Sequence, residues 1–280
     1  MREINVSEII EVLENMCIEA NCCLNNDIKE ALERGMATEK NELGKSILSD
    51  ILENAEIAKN EMMPICQDTG MAVIFLKIGQ DVHIVGGNLT KAINEGVRRG
   101  YEKGYLRKSV VADPIRRGNT GDNTPAIIHT EIVEGEKLEI TIAPKGFGSE
   151  NMSAVKMLKP SDGVEGVIDF VLETVKKAGG NPCPPLVIGV GIGGTFEKVA
   201  YLAKLALLRN VNSRNSDKYY SDLEETLHKR INDLNIGPQG FGGTTTALGV
   251  NIESFPTHIA GMPCAVNINC HASRHKKVII

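Results

Sequence analysis

The sequence predicts an α/β protein with mixed sheets flanked by helices and a helical N-terminal region. Three observations point there. Over the first sixty residues, apolar side chains recur at intervals of three and four, the spacing of a helix stripe. Beyond about residue 70, short β-rich runs mingle with further helical stripes, without the regular alternation of a doubly wound sheet or a barrel. The connections are rich in Gly, Pro, Asn, Thr and Asp, the residues that turn a chain.

The elements follow in order. Val6, Ile9, Ile10, Leu13 and Met16 mark the apolar face of a first helix. A second is expected from about Asp27 to Arg34, capped by Asn26 and ended by Gly35. Leu43, Ile47, Leu48, Ile51 and Leu52 line a third, from about Glu42 to Lys59. Residues from Met71 to Ile78 read as a strand, and those from Leu89 to Tyr105 as a helix capped near Asn88. Two further runs, Ala126 to Val133 and Lys137 to Ala143, read as a strand pair joined by the tight turn Glu134-Gly135-Glu136. A helix from Gly163 to Ala178, a buried strand from Leu186 to Val190 and a helix from Phe196 to Leu208 come next. After a polar loop, from Asn212 to Asp217, a helix is expected from Asp222 to Leu234 and strands from Thr245 to Ile252 and Ala265 to Ile268. The organisation expected is one catalytic domain over 1–280, with a helical part over about 1–62 and an α/β part over about 63–280.

Composition narrows the function. With 42% hydrophobic and 24% charged residues, the chain is far from the signature of disorder and long enough to bury a core. A formal net charge of −5 gives no basic footprint for nucleic acid. The N-terminus is charged and amphipathic, unlike a signal peptide, and no run of about 18–20 apolar residues suggests a membrane span. A cytoplasmic protein is expected. In that reducing setting, seven cysteines are expected as buried thiols or metal ligands rather than as disulfides.

Five connections carry the chemistry: Pro64-Ile65-Cys66-Gln67-Asp68-Thr69-Gly70, the Gly118 to Pro125 stretch, Lys145-Gly146-Phe147-Gly148-Ser149-Glu150-Asn151, Asn181-Pro182-Cys183-Pro184-Pro185, and Asn269-Cys270-His271-Ala272-Ser273-Arg274. Three hold one cysteine each. No CxxC pair occurs, which argues against a structural zinc finger. Three separate thiolates could hold three irons of a [4Fe–4S] cluster, leaving the fourth iron open as a Lewis acid. Three buried cysteines remain the plain alternative.

At these residues the sequence resembles the α subunit of the two-subunit, class I iron–sulfur fumarases, a pattern shared with the L-tartrate dehydratase α subunit. PxCQDTG, KGxGSEN, the NPCPP-to-GIGG stretch and CHAxR occur in order across nearly the whole chain. The resemblance implies that Cys66, Cys183 and Cys270 ligate a [4Fe–4S] cluster with one open iron, while Cys17, Cys22, Cys23 and Cys264 are structural. It implies that Gln67 and Asp68 contact substrate, with Asp68 helping to place the proton-transfer machinery. Arg107 would bind a substrate carboxylate, a task suited to its planar fork. Gly146, Phe147 and Gly148 would bring backbone N–H groups near the substrate, and His258 would be an active-site histidine. Arg274 ranks lower, as a structural partner beside Cys270. Phe147 departs from the pattern, since many relatives have a glycine there, and its ring leaves less room.

The implied activity is reversible hydration of fumarate to malate, with L-tartrate or mesaconate as alternative substrates. Single-chain relatives carry a further C-terminal domain, so a separate β subunit is expected to complete the site in a heteromer such as α2β2. Two rivals belong to other classes. Gly189-Val190-Gly191-Ile192-Gly193-Gly194 fits GxGxxG literally, but the helix after it runs into the polar stretch from Asn210 to Asp217, a poor second strand, so nucleotide binding is disfavoured. A non-catalytic scaffold is the other, and it would purify colourless.

Overall fold

In the computed structural model, which describes all 280 residues, ten strands and eight helices form three sheets. The first half of the chain holds β1 (Arg2–Asn5), α1 (Val6–Cys22), α2 (Asn26–Thr38), α3 (Glu42–Glu61), β2 (Met71–Gly79), β3 (Val82–Val85), α4 (Leu89–Lys103), β4 (Ile127–Val133) and β5 (Leu138–Lys145). The second holds α5 (Phe147–Glu150), β6 (Ala154–Leu158), α6 (Gly163–Ala178), β7 (Leu186–Gly193), α7 (Phe196–Ala206), α8 (Lys218–Asn232), β8 (Ala247–Phe255), β9 (Met262–Asn269) and β10 (Lys276–Ile279). The expected mixture of helices and mixed sheets is therefore the fold. No helix is long and apolar enough to cross a membrane.

The chain divides into two compact units. The first comprises Met1–Leu24, Ala55–Gly146 and Arg274–Ile280; the second, Asn25–Asn54 and Phe147–Ser273. The N-terminal helices are shared between them: α1 belongs to the first unit and α2 to the second, and α3 begins in the second and ends in the first.

The first unit is built on a four-stranded sheet of order β10-β5-β2-β4, with β1 and β3 paired separately. Central β2 is buried from Ala72 to Leu76, the continuous apolar run expected of a strand covered on both faces. Its Ile74 and Leu76, with Ile140 and Ile142 of β5, pack against Ile9 and Leu13 of α1 and Ile93 and Val97 of α4. Burial of each such side chain stabilises by roughly 1.5–3 kcal/mol. Asn88 caps α4 as expected, its side chain accepting from Lys91 N.

The expected hairpin from Ala126 to Ala143 is not formed. β2 lies between β4 and β5, parallel to the first and antiparallel to the second. The reason lies at the end of β2: Gly79 N, Gln80 N and Asp81 N donate to Lys137 O, Val133 O and Gly135 O, so the link from β4 to β5 closes over the end of β2.

The second unit is a four-stranded sheet of order β6-β9-β7-β8. On β7, Leu186, Ile188 and Val190 pack with α6 and α8 in one core, while the intervening Gly189 and Gly191 meet α7. Added Cβ atoms there would come within 2.1 Å of Ala203 O and 2.3 Å of Val199 O. These glycines bring a helix backbone onto a strand. α2 differs from expectation at its end: it runs through Gly35 to Thr38, because Gly35 packs under Thr245, whose Cγ2 would stand 2.8 Å from an added Cβ.

Candidate active site

In the first unit, the Cys66-Gln67-Asp68-Thr69-Gly70 connection enters β2 and is tied down at Asp68, Thr69 and Gly70, and at Ile65 just before it. Ile65 N donates to Asn21 O (2.9 Å), and Thr69 Oγ1 donates to Arg107 O (3.1 Å). The buried Tyr101 hydroxyl donates to Thr69 O (2.8 Å) and shares with Gly70 O (3.1 Å). Asp68 Oδ1 accepts from Gly70 N, an Asx turn that leaves Oδ2 beside Gly146, 3.1 Å from where a Cβ would stand. This unit thus brings together Gln67, Asp68, Gly146 and the backbone of Arg107, whose guanidinium is exposed.

Asn123 connects the same parts. It is fully buried, with φ of 63°, a conformation Asn tolerates better than most residues. Its Oδ1 accepts from Ser109 N (2.7 Å) and Val110 N (3.2 Å), and its Nδ2 donates to Gly70 O (3.1 Å). The segment after Arg107 is thereby joined to the loop after Asp68.

Like Lys145, Arg274 is a buried cation of this site. At 5% exposure, its Nη2 donates to Asp68 O at 2.5 Å, while Nε and Nη1 have no partner. A guanidinium shielded from water and held by one carbonyl retains a strong demand for negative charge. A bond to the Asp68 backbone is a structural role, the kind expected of Arg274 from sequence, though its partner shows only in the fold.

In the second unit, Cys183 and Cys270 lie at one end of the sheet, since Cys183 precedes β7, Cys270 follows β9, and these strands are antiparallel. His271 binds the two loops together: its N and Nδ1 lie 3.4 and 3.1 Å from Cys183 O. A proton on Nδ1 satisfies that carbonyl. Gln239 donates from Nε2 to Pro184 O (2.9 Å). Cys183 itself has φ of 55°, a left-handed conformation uncommon for an L residue, which often marks a functional position. The glycine-rich loop reaches the same end: a Cβ on Gly148 would lie 3.9 Å from Asn181 O. Glu150 secures that loop through Lys204 (2.6 Å) and Asn267 (2.9 Å). Phe147 is 45% exposed.

A model of the family described as Fumarate hydratase (Fumerase) matches residues 10–279. The chain belongs to that family. A protein of Methanocaldococcus jannaschii named "Putative L(+)-tartrate dehydratase subunit alpha" is 45% identical over 273 residues, covering 95% of each chain. The L(+)-tartrate dehydratase subunit alpha of Escherichia coli K12 is 31% identical over 278 residues, 98% of this chain and 91% of its own. That of strain UTI89 is 32% identical over 272 residues, 96% and 89% respectively. The family expected from four ordered motifs is thus the one found, and it is a family of hydro-lyases.

In this member of the fumarate hydratase family, burial sets three of the seven cysteines apart but not Cys23, which is half-buried in the link between α1 and α2. Cys17, Cys22 and Cys264 are buried, and loss of solvent pushes their thiols up, Cys264 to about 12. Such sulfurs resist becoming thiolates. Cys183 is exposed, and Cys66 and Cys270 are half-buried, all three on connections between elements. Accessible thiols outside any disulfide are the donor chemistry that an iron–sulfur cluster needs. No group of three or more His, Cys, Asp and Glu side chains forms a site for a single metal ion.

His258 is not brought to the two cysteines of its unit. It lies between β8 and β9, where Thr257 Oγ1 donates to Gly194 O (2.9 Å) just beyond the C-terminal end of β7. Cys183 and Cys270 occupy the opposite end, and an eight-residue strand is roughly 25 Å long. Sequence reading also missed Asn123, His271 and Gln239. The adjacency of His271 to Cys270 in the CHAxR motif was the available signal for one of them, but nothing local distinguishes the others.

Proposed function

We propose that this chain is the iron–sulfur α subunit of a hydro-lyase that interconverts fumarate and malate, with a separate β subunit completing the active site. The observation that carries the reading is that, of four cysteines that are not buried, Cys66, Cys183 and Cys270 stand on motif loops in a chain of the fumarate hydratase family, and Cys23 does not. Cys66, Cys183 and Cys270 would hold a [4Fe–4S] cluster. When bound, the cluster supplies an open iron, a Lewis acid that makes the hydroxyl at C2 a better leaving group.

The chain's own residues do the rest. Arg107 holds a substrate carboxylate through two parallel hydrogen bonds. Gln67 and the backbone N–H groups of Gly146, Phe147 and Gly148 orient the substrate. Asp68, together with a group from the β subunit, handles the proton at C3, while the C2 oxygen leaves as water. Arg274 keeps the Asp68 backbone in place and adds positive charge where an anionic cluster and a dicarboxylate both favour it. Within one chain His258 faces the wrong end of its sheet, so its catalytic part belongs to a second copy in a heteromer such as α2β2. The whole chain acts as one catalytic domain in the cytoplasm.

L-tartrate is the second reading, favoured by the names of the relatives. It carries one hydroxyl more than malate, and the Phe147 ring leaves less room for it. The test is anaerobic cluster reconstitution with iron and sulfide analysis, then assays of both substrates with a β subunit. About four irons and four sulfides per chain are expected, lost in Cys66→Ser, Cys183→Ser or Cys270→Ser but not in Cys264→Ser. A colourless, iron-free chain defeats the reading, and faster turnover of tartrate than malate reverses the substrate assignment.

A further inference from the structure

The second unit contains a cavity of about 510 Å³ flanked by α2, α8 and the start of β8. None of its lining residues comes from the loops that carry Cys183 or Cys270. Its size is that of a small-molecule site. Its chemistry is one-sided: Arg34, Arg214 and His228 line it, with Asn212, Asn232, Thr38, Thr244 and Thr245, and no carboxylate is present in the lining.

The nearby acids are already engaged. Asp27 Oδ2 accepts from Val211 N (2.9 Å), Glu30 Oε2 accepts from Asn212 Nδ2 (3.0 Å), and Glu39 takes the N–H groups of Thr244 and Thr245. Arg34 donates to the Asn212 side chain but to no carboxylate. Arg214 has no hydrogen-bond or ion-pair partner. Two guanidinium groups therefore approach one cavity without a direct carboxylate partner, although Asp27, Glu30 and Glu39, bonded to neutral groups, keep their negative charge outside the lining.

His228 reports the resulting field. Its Nε2 lies 2.9 Å from Ala247 O. Burial first, and then the charges of Arg214 and Arg34, hold the imidazole below its ordinary range, against the Ala247 carbonyl and Glu225. The ring is thus neutral near pH 7, and the cavity presents two fixed positive charges beside neutral donors and acceptors.

We infer that this cavity binds a small organic or inorganic anion carrying at least two negative charges, a polycarboxylate or a phosphate, gripped by Arg34 and Arg214. Both classes present oxygen pairs that match the guanidinium fork. The anion would brace α2 against β8 and α8, because the two arginines come from α2 and from the loop before α8. The site does not depend on the hydro-lyase reading and uses none of its residues.

The experiment is calorimetric titration of the full chain with citrate, inorganic phosphate and ADP as separate probes, repeated on Arg34→Gln, Arg214→Gln and Arg107→Gln. Saturable binding of at least one probe is expected, weakened about tenfold or more by either cavity substitution and unchanged by Arg107→Gln. Which probe binds best separates carboxylate from phosphate recognition. Histidine NMR adds an independent readout, since an anion that neutralises the two arginines raises the His228 titration midpoint. Absence of saturable binding by all three probes, or binding indifferent to both cavity substitutions, overturns the inference. Circular dichroism of the variants, whose altered side chains are exposed, establishes that the fold is intact.

Discussion

Replacing Asn123 by alanine should loosen the loop that carries Cys66, by an amount that can be worked out bond by bond. The substitution deletes one acceptor serving two backbone donors and one donor serving Gly70 O. Gly70 O retains the Tyr101 hydroxyl, so that carbonyl loses little. Val110 N is left without a partner in a buried position, which costs about 1–3 kcal/mol. Ser109 belongs to an exposed residue, and water recovers most of its loss, leaving about 0.5–1 kcal/mol. Alanine at a φ of 63° adds about 1–2 kcal/mol. The total is about 2.5–6 kcal/mol, a large part of the ~5–15 kcal/mol that holds a typical domain together. Asn123→Gly removes the backbone term and should recover about 1 kcal/mol despite its greater freedom when unfolded. Urea unfolding of the three proteins measures the differences, and amide exchange at Ser109 and Val110 locates them. A loss below about 1 kcal/mol for alanine, or a glycine variant less stable than the alanine variant, would refute this account of the loop.

Two further outcomes follow from side chains already described. Burial opposes charge on Glu39, but N–H groups from Asn41, Thr244 and Thr245 outweigh it and hold the carboxyl at about 2, below its usual 4.5. A lowered folded-state value means stability that is fully present above pH 4.5 and lost as pH falls from there towards 2. About 2–3 kcal/mol should disappear across that window, and Glu39→Gln, measured by urea midpoints against pH, should flatten it; an unchanged slope counts against the assignment. Alkylation of the cluster-free chain under anaerobic conditions, followed by peptide mass spectrometry, should label Cys183 first and Cys66 and Cys270 more slowly, sparing Cys17 and Cys264 until the chain unfolds. Equal labelling of Cys264 and Cys183 would show that burial does not sort these thiols.

Long amphipathic elements were legible in the sequence because their signal is local. The stripe of α1, the Asn88 cap of α4 and the apolar run of β2 each depend on residues within one element. Strand partnership is not local: β4 and β5 are neighbours along the chain, yet β2 separates them. Four-residue strands such as β1, β3 and β10 are too short to show a period, and β6 alternates too weakly to stand out. Gly35 has the look of a helix end, and only the nearness of Thr245 explains why the helix continues. The motif loops were visible because Gly, Pro and Cys cluster there. The stretch from Gly118 to Pro125 was visible too, but the particular value of Asn123, like that of Gln239, was not, since it comes from carbonyls and amides far away in sequence. His258 failed to join the two cysteines for a related reason: twelve residues that look adjacent on paper include an entire strand.

The grip of Arg274 on the Asp68 carbonyl has a consequence for the order in which the protein is made. Residues 274–280 also supply β10, which pairs with β5 in the first unit, yet the ribosome produces them only after all of the second unit. The first unit must therefore wait, with one edge of its sheet uncovered and the Cys66 loop unclamped, while the intervening chain emerges. At about 5–20 residues per second that wait lasts on the order of ten seconds. An open strand edge beside unprotected thiols is exposed to mispairing and oxidation throughout. Nascent chains stalled just short of residue 274 should show the Cys66 thiol more reactive than it is in the finished protein. Closure of the first cysteine loop would then be timed by translation, since the segment that clamps it is made only after the whole of the second unit.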